Sequence, residues 1–227
     1  MEKLKYNIDD FPFREMVRDW FKVDLDRLHE EKNYKHFTRK TDQQTHWHKL
    51  FYEKVRESNE WDWHYKWFIK QIKKVRWDDK AIVYQKIPTF RVHFPDNVAV
   101  GEWHKDIEYR SEDWVNELNY YVPVTEAKDT STVHLEGNKS LDTEYGEYWE
   151  WDGLNMKHGN VENITGKTRV SFDFRVHLYQ DHYLIDKKAM SINTKVPFTI
   201  GGYYEVMDKL GDEKATPPSL FFEQGEL

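Results

Sequence analysis

Apolar residues recur at intervals of three and four through the first third of the chain. Phe13, Met16, Val17, Trp20, Phe21, Leu25 and Leu28 form one such stripe, which predicts an amphipathic helix. A second stripe, Trp47, Leu50, Phe51 and Val55, predicts a helix over about residues 42–58. A third helix is predicted over about residues 60–75, with Trp67, Phe68, Ile72 and Val75 facing inward. Pro12 is the only proline before Pro88, and no glycine precedes Gly101, so little interrupts these helices.

The pattern changes after Asp79. Residues 81–87, 98–104, 118–124, 131–135, 148–151 and 169–177 are short runs rich in β-branched and aromatic side chains. Gly137-Asn138, Asp152-Gly153, Gly159-Asn160 and Thr165-Gly166 separate them as turn formers. Many short strands with regular punctuation predict a sandwich or barrel. The chain of 227 residues then reads as a single α+β unit, mainly β. A helical part covers about 1–80 and a β core about 81–207. A polar tail over about 208–227, containing Pro217-Pro218, is either loose or folded over a pocket.

Composition narrows the function. A formal net charge of −7 argues against general nucleic-acid binding. The one basic cluster, Lys70, Lys73, Lys74 and Arg76, reads as a solvated helix face. With no cysteine, disulfides and zinc–thiolate sites are excluded. The charged N-terminus has no apolar run and no stretch approaches a membrane span, so a cytoplasmic protein is expected. Aromatic residues, 16% of the chain, serve mostly to fill cores, and they also suit a pocket for a flat or sugar-like substrate.

Chemistry concentrates in His104-Lys105-Asp106, His158 and Arg169-Val170-Ser171. Two histidines and one carboxylate are the set that holds non-haem Fe(II) on one face and leaves positions open for reactants. On a strand, residues two apart share a face, so His104 and Asp106 would point inward together, as would Arg169 and Ser171. Arginine suits a buried carboxylate because its planar fork binds both oxygens and stays charged. Arg169, Ser171, Asp173 and Arg175 share one parity. An Arg169–Asp173 ion pair, or Arg175 as the carboxylate anchor, are therefore the alternatives.

The spacing, with Arg169 eleven positions after His158, resembles the Fe(II)/2-oxoglutarate-dependent oxygenases. Four segments resemble the StrG-like group of streptomycin biosynthesis, distant relatives of phytanoyl-CoA dioxygenase. They are Val98-Ala-Val-Gly-Glu-Trp-His-Lys-Asp106, Leu118-Asn-Tyr-Tyr-Val-Pro-Val-Thr125, Leu154-Asn-Met-Lys-His-Gly-Asn160 and Thr165-Gly-Lys-Thr-Arg-Val-Ser-Phe-Asp-Phe-Arg-Val176. The resemblance spans about residues 82–176. It implies a double-stranded β-helix (a cupin-like jelly roll) buttressed by the N-terminal helices. It also implies Fe(II) held by His104, Asp106 and His158, with 2-oxoglutarate and O2 as co-substrates. Arg169 and Ser171 would grip the far carboxylate of 2-oxoglutarate.

The implied reaction hydroxylates an unactivated C–H bond of a small polar, aminoglycoside-like metabolite and releases succinate and CO2. Related halogenases lack the carboxylate ligand, so the presence of Asp106 argues for hydroxylation, with desaturation or ring closure as variants. A protein or nucleotide substrate, or a non-catalytic cupin-like metal-binding module, are the other readings, and oligomeric state is open. Asn119 and Tyr121 share parity and either line the site, bonding 2-oxoglutarate or a metal-bound water, or simply pack. Arg91 either reaches substrate or forms an ion pair. His46 and His48, two apart on a helix, diverge. His93, His134 and His177 read as core or surface histidines, Trp103 as core pointing away from the metal, and residues 137–148 as a lid.

Overall fold

A computed structural model describes residues 1–31, 41, 44–99, 102–110, 114–186, 188–191 and 195–209. The expected polar tail lies outside them from residue 210 onward, as do Asp42 and Gln43 of the second expected helix. Among the described residues the α-helices are α1 (Phe13–Phe21), α2 (His46–Glu57) and α3 (Asn59–Arg76). The first apolar stripe is divided between two elements. Lys22 takes a left-handed conformation at φ 58°, which ends α1, and Asp24 then caps a 3-10 turn over Leu25–Glu30. Thr45 caps α2 through the His48 N–H. Ser58 both ends α2 and caps α3, accepting from the Trp61 N–H, so the two helices turn on one residue.

The strands are β1 (Glu2–Lys5), β2 (Ile82–Gln85), β3 (Thr89–His93), β4 (Leu118–Pro123), β5 (His134–Leu135), β6 (Lys139–Ser140), β7 (Glu147–Trp151), β8 (His158–Gly159), β9 (Arg169–Leu178) and β10 (Tyr204–Met207). Among the described residues they form two antiparallel sheets. The larger runs β1-β7-β4-β9-β2-β10, with β3 also paired to β9, and the smaller runs β6-β5-β8. Of the expected strand over 98–104, Val100 and Gly101 lie outside the described residues, and the described residues lie in no regular strand. His104 takes part only in an isolated bridge to His158, and Asp106 opens a 3-10 turn over Asp106–Tyr109.

The ten-residue strand β9 organises the molecule through strict alternation. Val170, Phe172, Phe174 and Val176 face the helices, while Arg169, Ser171, Asp173 and Arg175 face the other way. Phe172 meets Phe13 at 5.1 Å between ring centroids, Phe174 meets Tyr65 at 5.5 Å, and Phe90 of β3 stacks on Phe51 at 4.1 Å. Each fully buried phenylalanine contributes roughly 1.5–3 kcal/mol, so this aromatic layer anchors the sheet to the helices. Val75, expected to face inward on α3, is instead 79% exposed in the last turn.

The basic cluster on α3 is partly absorbed by the fold. Lys73 is buried and its Nζ donates to the carbonyls of Asp78 and Lys209, and Arg76 pairs with Glu150. Within the segment 137–148, expected as a lid, residues 137–139 are exposed, whereas Leu141 and Thr143 are fully buried and Thr143 bridges Ala127. Among the described residues, no helix is long and apolar enough to cross a membrane.

Candidate metal centre

His104 and His158 exchange backbone hydrogen bonds, His104 N–H to His158 O at 3.0 Å and the reverse at 2.9 Å. This bridge sets the two imidazoles side by side, 4.5 Å between centroids. Asp106 arrives by a different route. Its N–H donates to the carbonyl of Gly153 at 3.0 Å, and that of Ile107 to Leu154 at 3.2 Å, which pins the turn against the segment after β7. Asp106 Oδ1 then lies 3.4 Å from His104 Nε2 and 3.7 Å from His158 Nε2. One ligand atom from each of the three residues falls within 4.8 Å of the others.

Both imidazoles are prepared as ligands. His104 Nδ1 lies 2.6 Å from the Glu102 carbonyl and His158 Nδ1 2.9 Å from the Met156 carbonyl. A carbonyl only accepts, so each Nδ1 carries a proton, and in the neutral ring Nε2 keeps the lone pair that a metal would use. Burial works against a charged Asp106, but Arg175, His104, His158 and Asn119 outweigh it and hold the carboxyl well below its ordinary range. Burial also lowers His158; at His104 burial works downward too, but the Asp106 carboxylate and the Glu102 carbonyl together raise it. Two neutral-capable nitrogens and an ionised oxygen on one side of a cavity fit an octahedral divalent cation of the Fe(II) type.

A cavity of about 660 Å³, counted with the solvent at its mouth, opens beside the cluster between the two sheets. Arg91, Asn119, Tyr121, Arg169, Asp173 and Arg175 all line it. Arg169 is 2% exposed. Its Nη1 donates to Ser171 Oγ at 2.7 Å, its Nε to the Ser131 carbonyl at 3.0 Å, and its guanidinium lies 5.8 Å from the Tyr121 ring. Asp173, which the sequence offers as a partner for Arg169, gives one oxygen to Arg91 Nε and the other to Arg175 Nη1, each at 2.8 Å. Arg175 Nη2 reaches on to Asp106 Oδ2 at 3.3 Å. Arg91 and Arg175 are thus joined through Asp173 into a chain that ends on the candidate ligand carboxylate, rather than standing as separate carboxylate anchors. Asn119 Nδ2 donates to the same Asp106 Oδ2 at 3.0 Å.

Other described histidines have partners elsewhere in the fold. His48 is buried against Thr45, and His93 lies between the carbonyls of Ser131 and Asn97. His177 is buried beside Glu117 and His182, and His134 is half-buried on β5. Trp103, expected as core, is 39% exposed, with its ring over Gly159. Sequence reasoning missed the roles of Trp151, edge-on to His158 at 4.6 Å, and of Gly153. Alternation along β7 could have placed Trp151 on the cavity face, whereas no local signal marks Gly153.

No protein-family model matches the chain. It is 34% identical over 207 residues to the streptomycin biosynthesis protein StrG of Streptomyces griseus, an alignment covering 90% of this chain and 98% of that protein. Among solved structures, the non-heme monooxygenase ThoJ is similar in its nickel complex, with a TM-score of 0.40 and 14% identity over 48% of this chain and 49% of that one. The apo form of ThoJ gives a TM-score of 0.44 and 11% identity over 77% of this chain and 71% of that one. Neither structural likeness is close enough to carry an argument about function.

Proposed function

The chain belongs to the StrG family, and from that premise and the His104–Asp106–His158 cluster we propose that it is an Fe(II)- and 2-oxoglutarate-dependent oxygenase. Its reaction is hydroxylation of a C–H bond in a small polar metabolite, with succinate and CO2 released. The observation that carries this reading is the cluster itself: two imidazole Nε2 atoms turned toward one oxygen of a carboxylate, beside a cavity lined by arginines. The two sheets around that cavity are read as the halves of a double-stranded β-helix.

Within this proposal His104, Asp106 and His158 hold iron on one face. Iron, with 2-oxoglutarate and O2, supplies the oxidising power for C–H hydroxylation. The protein's own part is placement. Arg169, oriented by Ser171 and the Ser131 carbonyl, grips the far carboxylate of 2-oxoglutarate, and Tyr121 forms the wall beside it. Arg175, tied to Arg91 through Asp173, keeps Asp106 ionised and oriented. The substrate class rests on the relative's role in streptomycin biosynthesis and is aminoglycoside-like. With Lys73 buried and Arg76 paired to Glu150, the basic cluster lends little support to a nucleotide or protein substrate.

Single replacement of His104, Asp106 or His158 by Ala is expected to abolish Fe(II) binding measured anaerobically by calorimetry, with the fold retained by circular dichroism. Wild-type affinity in any of the three variants would remove that residue from the ligand set, and with it the proposal.

A further inference from the structure

We infer that Asn119 is a positioning residue for the Asp106 carboxylate, and that Gly153 lacks a side chain because the Asn119 amide occupies that space. The inference rests on the metal-centre reading above and goes beyond it in assigning what holds the carboxylate ligand in place.

Asn119 is 3% exposed on β4, in register with Trp151 of β7 on one side and Arg175 of β9 on the other. Its Nδ2 donates to Asp106 Oδ2, and Arg175 Nη2 donates to the same oxygen. The carboxylate therefore has one oxygen held by two donors and the other, Oδ1, turned to both histidine Nε2 atoms. A cation held at this cluster would meet Oδ1, the oxygen left free by these two donors. One-oxygen ligation matters here, because a carboxylate binding through both oxygens would take a coordination position that reactants need. The orientation leaves Asn119 Oδ1 buried without a partner, so the amide's strong bond within the fold is the one to the ligand.

Gly153 completes the arrangement. A Cβ built there would lie 2.2 Å from Asn119 Nδ2 and 2.7 Å from its Cγ. Backbone conformation does not demand glycine at this position, since Gly153 is not among the residues with positive φ. Close approach does. The Gly153 carbonyl also receives the Asp106 N–H at 3.0 Å, so this one residue fixes the backbone of the ligand and leaves room for the amide that aims its side chain.

The test is titration of Asn119→Ala, Gly153→Ala and the double variant with Co(II), read by calorimetry and by the visible ligand-field spectrum. Each single variant is expected to bind Co(II) roughly 10–100-fold more weakly, the range found when an outer partner of a metal ligand is removed. Each should also show an altered ligand-field spectrum, and the double variant should be no weaker than Asn119→Ala alone, because both changes break the same contact. Asn119→Ala removes atoms and adds none, so it carries the test even if Gly153→Ala folds poorly. Unchanged affinity and spectrum in Asn119→Ala, while wild type binds Co(II) and His104→Ala does not, would overturn this inference and leave the metal centre standing. Additive losses would overturn the assignment of Gly153. Failure of wild type to bind Co(II) would overturn both readings.

Discussion

Replacing His48 with Leu should flatten the acid limb of the stability profile. His48 is 2% exposed on α2, with Nδ1 2.8 Å from Thr45 Oγ1 and Nε2 buried without a partner. Burial, assisted by the nearby Arg91 charge, pushes its pKa down to about 3. In the unfolded chain the same side chain titrates at about 6.5. The fold therefore favours the neutral ring, and the unfolded state binds the proton first as pH falls. Stability is complete above the unfolded value and is lost as pH drops from there toward the folded value. Each pH unit in that window costs about 1.4 kcal/mol, so at pH 5 the loss from this one residue is about 2 kcal/mol. Urea unfolding of both proteins at pH 8 and pH 5 reads the effect. Wild type should lose about 2 kcal/mol more than His48→Leu between the two conditions. His93, held near 4 by burial and the neighbouring Arg169, titrates in both proteins and cancels in the comparison. Parallel profiles would refute the claim that His48 is buried neutral.

Two further outcomes are expected. Arg169→Lys keeps the charge but loses the planar fork, so it should raise the 2-oxoglutarate requirement by roughly 10–100-fold, equivalent to about 1.5–3 kcal/mol of charge-assisted hydrogen bonding. An unchanged requirement in an anaerobic 2-oxoglutarate titration would move the anchor to another residue. Phe172→Ala, at the centre of the helix–sheet layer, should cost about 3–5 kcal/mol in urea unfolding. A loss below about 1 kcal/mol would mean that this face of β9 is not the main core.

Much of the site could be read from the chain because alternation on β9 is strict. Polar Arg169, Ser171, Asp173 and Arg175 interleave with apolar Val170, Phe172, Phe174 and Val176, and the structure puts each set on its own face. The spacing of His104, Asp106 and His158 likewise reflects a real cluster. Other features escaped because they depend on distant partners. Parity could not say which arginine meets which acid, since Arg175 reaches Asp106 across the fold and Arg91 meets Asp173 from another strand. Segment 98–104 has strand-like composition, but the pairing available to His104 is one bridge to His158. β1, within a charged N-terminus, is a strand because β7 offers it an edge. Helical periodicity gave the inward face of α3 but not where its cover ends, which is why Val75 was expected inside.

Anaerobic addition of Fe(II) and then 2-oxoglutarate to the purified protein, followed by visible absorption, tests the central claim most directly. A weak charge-transfer band is expected only when both are present, and it should be lost in Asp106→Ala. Iron binding without any band on adding the keto acid would contradict that claim, leaving a metal-binding module in place of an oxygenase.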